Sequence, residues 1–334
     1  MGAGMGRSES KVTLKDIGRV LGLSARAVSN GLNNSGRLAP ETRRKIIETS
    51  RSMGYVPNAA ARSLVTQRSC FIGALIPYLN RSFFCNIIAG VEEIAEENGF
   101  MMLLDSLAKE SDARKERVLN SMMQHNVGGI ILYPRREDLE MAPLIRAMGV
   151  PVIQVMEHLP EFGGYAVTMD NFKAACDAVN HLLERGHDRI ACLVHDTENF
   201  VQNERLRGYL AAMGGRPVLR RSCAMTLEAG WNATRELLTA DPDITAVFAS
   251  SDFAALGALR AGLEMGRRVP ERFAVVGFSD VDMAANQALC PLSTIAQPKE
   301  ETGRCAARML FDILKGKKVH NVTLPAPLII RKSS

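Results

Sequence analysis

Aromatic residues make up only 5% of the chain, and tryptophan occurs once, at Trp231. This scarcity excludes a platform on which single-stranded nucleic acid stacks its bases. The seven cysteines are scattered, and neither they nor the six histidines show the spacing of a zinc site. No Gly-x-Gly-x-x-Gly motif follows a predicted strand, and no P-loop is present. We therefore expect free thiols in a reducing compartment, no metal, no cofactor and no enzyme activity.

Long apolar runs are missing too, and none approaches the roughly 20 residues that a membrane-spanning helix requires. The first eleven residues lack the apolar core of a signal peptide, and Gly6 stands where a myristoylation signal has Ser or Thr. We expect residues 1–11 to form a flexible tail. The cytoplasm is the expected compartment, with no membrane partner.

Charge is distributed unevenly along the chain. Residues 1–68 carry 12 lysines and arginines against 4 acidic side chains, whereas the remainder carries 29 against 32. A basic head on a mildly acidic body is typical of a protein whose head alone contacts a polyanion. A solvated basic surface would give the same counts, so charge alone does not decide between the two.

The pattern of residues 13–33 predicts two short helices joined by a tight turn. Thr13 and Asp16 form a capping-box pattern at the start of the first helix. Gly22 ends that helix, and Ser24 is a good N-cap for the second. The first helix is expected to bury one apolar face, formed by Leu14, Ile17, Val20 and Leu21.

The second helix is expected to point Val28 and Leu32 inward. Its outer face then presents Ala25, Arg26, Ser29 and Asn30. Two helices in this arrangement form a helix-turn-helix, whose second helix lies in the major groove of DNA. An ordinary helical hairpin with a polar outer face is the alternative.

A third helix is predicted to begin at Pro40, which completes a DNA-binding domain over residues 12–56. Residues 57–69 follow as a hinge helix and linker. The alanine-rich helix from Asn58 to Leu64 is only about two turns long, so it needs a partner helix and a surface to fold on. This favours a homodimer that orders on DNA, although a plain linker with a frayed helix has the same composition.

Four motifs carry a resemblance to a known family: TLKDIGRVLGLS, AVSNGLNNS, APETRRKI and MGYVPNAAARSL. Over almost its whole length the chain resembles the lactose/galactose/purine repressor (LacI/GalR) family of bacterial transcription factors. The resemblance implies a homodimer that binds near-palindromic double-stranded operator DNA. Its recognition helices would lie in successive major grooves, and Leu64 of each hinge helix would enter the minor groove as an apolar wedge.

The resemblance also implies individual DNA contacts. Phosphate contacts are implied for Thr13, Ser24, Ser29 and Asn33. The base-reading positions are Ala25, Arg26 and Asn30, and Asn58 is included from the hinge. Arginine pairs well with guanine and asparagine with adenine, whereas alanine at most touches a thymine methyl. Ala27 replaces a common threonine, so one phosphate contact is expected to be lost.

From residue 70 to residue 334 the chain alternates short apolar runs with amphipathic helices. FIGALIP, FMMLLDS, GGIILYP and VPVIQVM predict buried parallel strands, with helices over 83–98, 112–125 and 137–148 between them. The pattern restarts at YAVTMD and continues with RIACLVH, TAVFAS and FAVVGFS. We therefore predict an α/β body of two doubly wound lobes, which the chain crosses near residues 165, 293 and 325. The resemblance agrees, because the regulatory body of the family is similar to periplasmic sugar-binding proteins and also dimerises.

Ligands of such sheets bind beyond the carboxyl ends of the strands, here in the cleft between the lobes. Candidate effector contacts in the first lobe are Asn80, Arg81, Phe83, Phe84, Asp105 and Glu157. Those in the second lobe are Asn199, Arg205, Met225, Asp252 and Asp280. The resemblance implies effector contact above all for Arg205 and Asp252. Helix capping or a salt bridge between the lobes is the alternative for each.

Several of these positions depart from the family pattern. Met156 and Glu157 stand where the family commonly has Asp-Arg, and Met225 stands where many members stack an aromatic ring on the effector. Arg81 adds a cation that suits a sugar acid, and Glu157 offsets that charge. We expect a sugar or a sugar acid as the small-molecule effector.

The sequence thus predicts a sequence-specific transcriptional regulator, a repressor rather than an activator, whose operator affinity a small metabolite controls. A solute-binding protein or an α/β enzyme acting on a sugar or nucleotide is the alternative. A solute-binding protein shares the two-lobed body but would not have a basic head. The second predicts turnover and no salt-dependent binding to duplex DNA.

Overall fold

The computed structural model describes residues 12–33, 35–55, 69–107, 111–195, 200–287 and 290–334. The chain divides into two compact units, Met1–Arg68 and Ser69–Ser334, which are called the head and the body below. The predicted hinge residues Asn58 and Leu64 and the predicted effector contact Asn199 lie outside the described residues.

The described part of the head contains three helices, α1 (Leu14–Leu21), α2 (Ala25–Leu32) and α3 (Pro40–Ser52). The predicted capping box is present: the Thr13 hydroxyl accepts from the Asp16 N–H at 3.4 Å, and the Asp16 carboxylate accepts from the Thr13 N–H at 3.0 Å. These bonds satisfy N–H groups that the first turn of α1 leaves without a helical partner.

The three head helices pack around Ile17, Val28 and Ile46, whose side chains are fully buried. The prediction for Val20 is wrong, because 64% of this residue is exposed. α1 turns its Gly18 side towards α2 instead, and a Cβ atom at Gly18 would lie 2.5 Å from the Leu23 carbonyl oxygen. This close approach rotates Val20 out of the core.

The first lobe of the body contains a parallel sheet in the order β11-β5-β4-β3-β1-β2. Its described strands are β1 (Phe71–Ile76), β2 (Met101–Ser106), β3 (Ile130–Leu132), β4 (Val152–Val155), β5 (Tyr165–Met169) and β11 (Val322–Leu324). Its helices are α4 (Ser82–Glu97), α5 (Asp112–Gln124), α6 (Ala142–Ala147) and α11 (Lys299–Leu314). Short 3₁₀ turns occupy Arg136–Met141 and Pro160–Phe162.

The second lobe repeats this layout in a sheet of order β12-β10-β9-β8-β6-β7, in which only β12 is antiparallel to its neighbour. Its described strands are β6 (Ile190–Val194), β7 (Leu219–Ser222), β8 (Ala246–Ala249), β9 (Ala274–Phe278), β10 (Ser293–Ile295) and β12 (Leu328–Ile329). Its helices are α7 (Asn171–Glu184), α8 (Phe200–Met213), α9 (Leu227–Ala240) and α10 (Asp252–Glu264), with a π-helical turn at Met283–Gln287. The predicted two-lobed α/β fold is confirmed.

Two details of the strand prediction need correction. The YAVTMD segment does not open the second lobe: it forms β5 and pairs with both β4 and β11 of the first sheet. Gly164 makes this possible, because its φ of +75° and its missing side chain bring it against Val152 of β4. The FMMLLDS strand, β2, is not buried but lies at the sheet edge, with Met101 55% exposed.

The chain crosses between the lobes at three places. The first crossing follows β5, at residue 170, and so lies after the strand that was predicted to begin the second lobe. The second falls between β10 and α11, at residues 296–298, and the third between β11 and β12, at residues 325–327. Each lobe is therefore assembled from two separate stretches of sequence.

In each lobe two helices approach at backbone distance through glycines. A Cβ atom at Gly303 of α11 would lie 2.0 Å from the carbonyl oxygen of Ile87 in α4. In the second lobe, a Cβ atom at Gly257 of α10 would lie 2.1 Å from the carbonyl oxygen of Leu227 in α9. No larger residue fits these positions without moving a helix.

Candidate functional site

The outer face of α2 carries the predicted DNA contacts. Ser24 caps the helix through its hydroxyl, which accepts from the Ala27 N–H at 3.1 Å. Arg26 in the first turn is exposed and forms no ion pair with any described residue. The Asn33 amide, just past the end of α2, donates to the Ser29 hydroxyl at 3.3 Å. Ala25 is half-buried, so its methyl group is only partly available for contact with a base.

Asn30 makes contacts within the head itself. Its side-chain oxygen accepts from the Ser35 hydroxyl at 3.4 Å, and its amide nitrogen lies beside Gly36. This contact ties the loop after α2 to the recognition face. Two polar side chains are predicted to read bases. Arg26 is exposed and has no hydrogen bond to the described residues of this loop, whereas Asn30 is held by its hydrogen bond to Ser35 in the loop after α2.

At the carboxyl ends of β1 and β3 the first lobe presents an aromatic wall. The rings of Phe83 and Phe84 meet edge to face with centroids 5.1 Å apart, and Phe84 meets Tyr133 in the same way at 5.2 Å. Burial raises the pKa of the Tyr133 hydroxyl to about 12, and the nearby Glu157 carboxylate adds to this shift. The wall offers an apolar surface with one polar group at its edge.

Glu157 lies two residues after the end of β4 and is only 3% exposed. The backbone N–H of Phe200, at the start of α8 in the second lobe, donates to its carboxylate. Its Oε1 atom is buried and has no hydrogen-bond partner among the described residues. Burial raises the pKa of this carboxyl. The hydrogen bond from Phe200 and the charge of Arg136 lower the pKa, but burial has the larger effect. Because one lobe supplies the side chain and the other a donor, the carboxyl group lies between the lobes.

Arg205 on α8 carries a positive charge, opposite to that of Glu157, and is 4% exposed. Its Nε donates to the side-chain oxygen of Asn171 at 3.0 Å, and its Nη1 donates to the carbonyl oxygen of Ser250 at 2.8 Å. The guanidinium also lies over the ring of Phe278. Burial lowers its pKa to about 9. Among the described residues, no carboxylate lies within ion-pair distance of it.

Three predicted acidic contacts are held by protein groups instead. Asp105 accepts from Arg114 at 3.1 Å. Asp280 pairs with Arg331 at 2.7 Å. Asp252 is 1% exposed, and its two oxygens accept from the Val281 N–H at 2.8 Å and from the Thr294 hydroxyl at 2.5 Å. Each of these bonds stays within one lobe, so none is a salt bridge between the lobes, and the bonds of Asp252 join α10 to β10.

The remaining predicted contacts lie around the cleft. Asn80 and Arg81 are exposed before α4, and the Arg81 guanidinium stacks 4.4 Å from the centroid of the Tyr78 ring. The Met225 sulfur accepts from the Gln202 amide at 3.6 Å, one helical turn of α8 before Arg205. The structure therefore brings Phe83, Phe84, Glu157, Arg205 and Met225 to the facing edges of the two lobes.

Sequence reasoning missed four residues of this cleft: Tyr133, Asn171, Gln202 and Phe278. Tyr133 and Phe278 stand at strand ends, which is the signal that selected their neighbours. Gln202 precedes Arg205 by three residues on the same helix and therefore shares its face. Asn171 was hidden by the wrong lobe assignment of the strand before it.

Two other features of the described residues concern ligands. A cavity of about 220 Å³ lies at the first and third crossings, lined by Asp170, Lys173, Ala174, Asp177, Leu324, Pro325, Ala326 and Pro327. Across the same described ranges, no cluster of three or more His, Cys, Asp or Glu side chains could hold a metal ion.

No helix in the described ranges has the length and apolar character needed to span a membrane.

Comparison with known proteins places the chain in a family. Residues 179–334 match the model of the periplasmic binding protein-like domain. The chain is 32% identical to the HTH-type transcriptional repressor CytR of Escherichia coli (strain K12), over 98% of both chains. It is 33% identical to the HTH-type transcriptional regulator CelR of Thermobifida fusca, over 96% of this chain and 98% of that protein. The chain belongs to the LacI/GalR family of transcriptional regulators.

Solved structures agree with this assignment. The transcriptional regulator CelR in complex with cellobiose is 31% identical, covers 97% of this chain and 100% of its own, and superposes with a TM-score of 0.71. The lac repressor dimer bound to operator superposes with a TM-score of 0.86 at 24% identity, over 97% of this chain and 99% of its own. The latter supports the fold of this LacI/GalR regulator.

Proposed function

We propose that the protein is a repressor that binds a near-palindromic operator as a homodimer and responds to a small effector held between the lobes of its body. The buried guanidinium of Arg205 is the observation that supports the effector site. A buried cation costs several kcal/mol unless it is paired, and no carboxylate of the described chain pairs with it. A ligand that accepts hydrogen bonds from this guanidinium supplies the missing partner.

The relatives support a sugar as the class of effector. CelR was solved with cellobiose, and a LacI-family regulator from Enterococcus faecium, 26% identical to this chain, was solved with bound ribose. The aromatic wall and the buried Arg205 suit such a ligand, because a sugar ring has apolar faces and hydroxyl edges. We therefore propose a sugar or sugar-derived effector for this cleft.

On the DNA side, we propose that Arg26 reads a base and that the groups at the helix starts, Thr13 and Ser24, contact phosphates. Helix N-termini favour anions, and both residues cap such an end. We further propose roles in DNA binding for Ala25, Ser29, Asn30, Asn33, Asn58 and Leu64. The domain boundaries that go with this proposal are 12–56 for the DNA-binding domain, 57–69 for the hinge and 70–334 for the body.

The proposal includes a cytoplasmic location, where a repressor meets its operator, and no catalytic turnover. A solute-binding protein shares the body but not the basic, helix-turn-helix head. An α/β enzyme would turn over sugars or nucleotides in steady-state assays, which we expect to show no reaction.

A titration by fluorescence anisotropy tests the DNA function. An operator duplex, obtained by binding-site selection, is compared with a shuffled duplex at 50 and 200 mM salt. We expect preference for the operator and an affinity that falls by about 10³- to 10⁵-fold between the two salt concentrations, if roughly 6 to 10 phosphates are contacted. Equal affinity for both duplexes would refute the proposal.

A further inference from the structure

The two buried charges of the cleft do not neutralise each other. Glu157 belongs to the first lobe and Arg205 to the second, and neither forms an ion pair with the other or with another described residue. Both charges act on Tyr133, since Glu157 raises and Arg205 lowers the pKa of its hydroxyl. The cleft thus has an anionic side, a cationic side and a tyrosine that both charges influence.

The surroundings of Glu157 leave one of its oxygens unsatisfied. The Phe200 N–H from the second lobe donates to the carboxylate, while Oε1 is buried and finds no partner in the described part of the chain. The charged groups that face it from the first lobe are Arg136, which is exposed, and Glu137, whose charge opposes ionisation. An orphan carboxylate oxygen is costly to bury, so a hydrogen-bond donor placed there by a ligand is strongly favoured.

A carboxylate on the ligand would have the opposite effect. Two carboxylates in contact repel, and the low polarity of a closed cleft strengthens the repulsion. Arg81, the cation that made a sugar acid attractive from the sequence, is exposed and stacked on Tyr78. It therefore offers no buried positive charge to offset Glu157.

We propose that Glu157 determines the specificity of the effector site, which takes a sugar presenting hydroxyl or amino donors to the first lobe and rejects the corresponding sugar acids. This inference rests on the proposed function and specifies its ligand. Arg205 on the other side donates hydrogen bonds to oxygen atoms of the ligand, which a neutral sugar or an amino sugar supplies equally well. A neutral hydroxyl and an ammonium group share the required chemistry, and the test separates them.

A purely structural role for Glu157 is the competing explanation, in which it only joins the lobes through Phe200. The variant Glu157→Gln separates the two roles. Glutamine keeps a carbonyl oxygen that accepts from the Phe200 N–H, but it loses the negative charge and one acceptor. If the residue only joins the lobes, ligand preference stays unchanged in this variant.

The experiment measures thermal shifts and calorimetric affinities of the full-length protein for matched ligands. Two series each have one ring in three forms: glucose, glucosamine and glucuronate, and galactose, galactosamine and galacturonate. Gluconate is added as an open-chain acid. We expect the tightest binder to be a neutral or amino member that exceeds its acid counterpart. Glu157→Gln is expected to weaken it by about 10- to 100-fold, the value of a hydrogen bond to a charged group. A larger loss for the amino than for the neutral sugar identifies an ammonium ligand.

Glu161→Gln, an exposed carboxyl close by in sequence, is the matched control and is expected to leave all affinities unchanged. The proposal is overturned if an acid binds more tightly than its neutral parent, if no neutral or amino member binds, or if Glu157→Gln leaves the preference intact. Operator binding is measured on the same samples. A protein that binds its operator but prefers sugar acids refutes this inference alone, whereas loss of operator preference refutes the proposed function.

Discussion

The guanidinium of Arg205 lies 3.7 Å from the centroid of the Phe278 ring, so an α8 side chain covers the last residue of β9. The negative face of the ring stabilises part of the positive charge of the guanidinium through a cation–π interaction. Asn171 and Ser250 take two of its donors. The cation is therefore held in place before any ligand arrives, which reduces the entropy that a ligand must lose on binding.

Replacing Arg205 with methionine tests this arrangement. We expect the effector-induced rise in melting temperature to disappear, because the ligand loses its cationic partner. The stability of the unliganded protein should change by only about 2 kcal/mol or less, since removing a buried unpaired charge offsets the loss of two hydrogen bonds. Differential scanning fluorimetry with and without effector measures both. An undiminished ligand shift in Arg205→Met would contradict the assignment, and Arg205→Lys should retain only part of it.

Asp252 makes stability depend on pH in an unusual direction. Burial raises its pKa from 3.8 to about 6, despite the bonds from Thr294 and Val281. A carboxyl whose pKa is higher in the folded state binds its proton more tightly there, so the stability it contributes is present below pH 4 and lost as the pH rises towards 6. The loss is of the order of 3 kcal/mol over this window.

The variant Asp252→Asn should flatten that part of the pH profile while lowering stability overall, because asparagine cannot accept from both donors. Urea denaturation at pH 4, 5, 6 and 7 gives the difference between wild type and variant. Asp243→Asn, at an exposed position, serves as the reference and should keep the wild-type profile. An unchanged slope in Asp252→Asn would show that the buried carboxyl does not titrate in this range.

Arg26 is expected to carry base recognition in the head. Arg26→Ala should cost about 1–3 kcal/mol of operator affinity and relax the preference at one base pair of each half-site. Arg44→Ala, on α3 and paired with Glu48, changes the same charge away from the recognition face. Binding-site selection with each variant is the measurement. Identical sequence preferences for wild type and Arg26→Ala would rule out this role.

Gly303 tests the packing of the first lobe. A Cβ atom there would meet the Ile87 carbonyl oxygen at 2.0 Å and the Val91 nitrogen at 2.9 Å. These are backbone atoms and cannot move aside alone, so Gly303→Ala should destabilise the body by about 3 kcal/mol or more. Chemical denaturation measures the loss. Ala89→Ser, on the exposed side of α4, should change stability by less than about 0.5 kcal/mol.

The sequence predicted local features well because their causes are local. The capping box at Thr13 follows from neighbours in the chain, and so do the end of α1 at Gly22, whose φ is +67°, and the position of Glu157 after β4. The sheet that receives β5 depends instead on its pairing, both with β4 and with β11, which lies more than 150 residues away. Whether a pocket acid is free also depends on distant partners, as Asp252 and Thr294 illustrate. Glu157 was selected by its position, but its orphan oxygen became evident only from the packing around it.

The three crossings have a consequence for synthesis of the chain. The first sheet lacks its covering helix α11 until residue 314 is made and β11 until residue 324, and the second lacks β12 until residue 329. Neither lobe can close before its last strand is synthesised, so the apolar sheet faces stay partly uncovered while most of the chain emerges. Transient binding by chaperones during translation is therefore expected to be more important here than for a protein of equal length built from two consecutive domains.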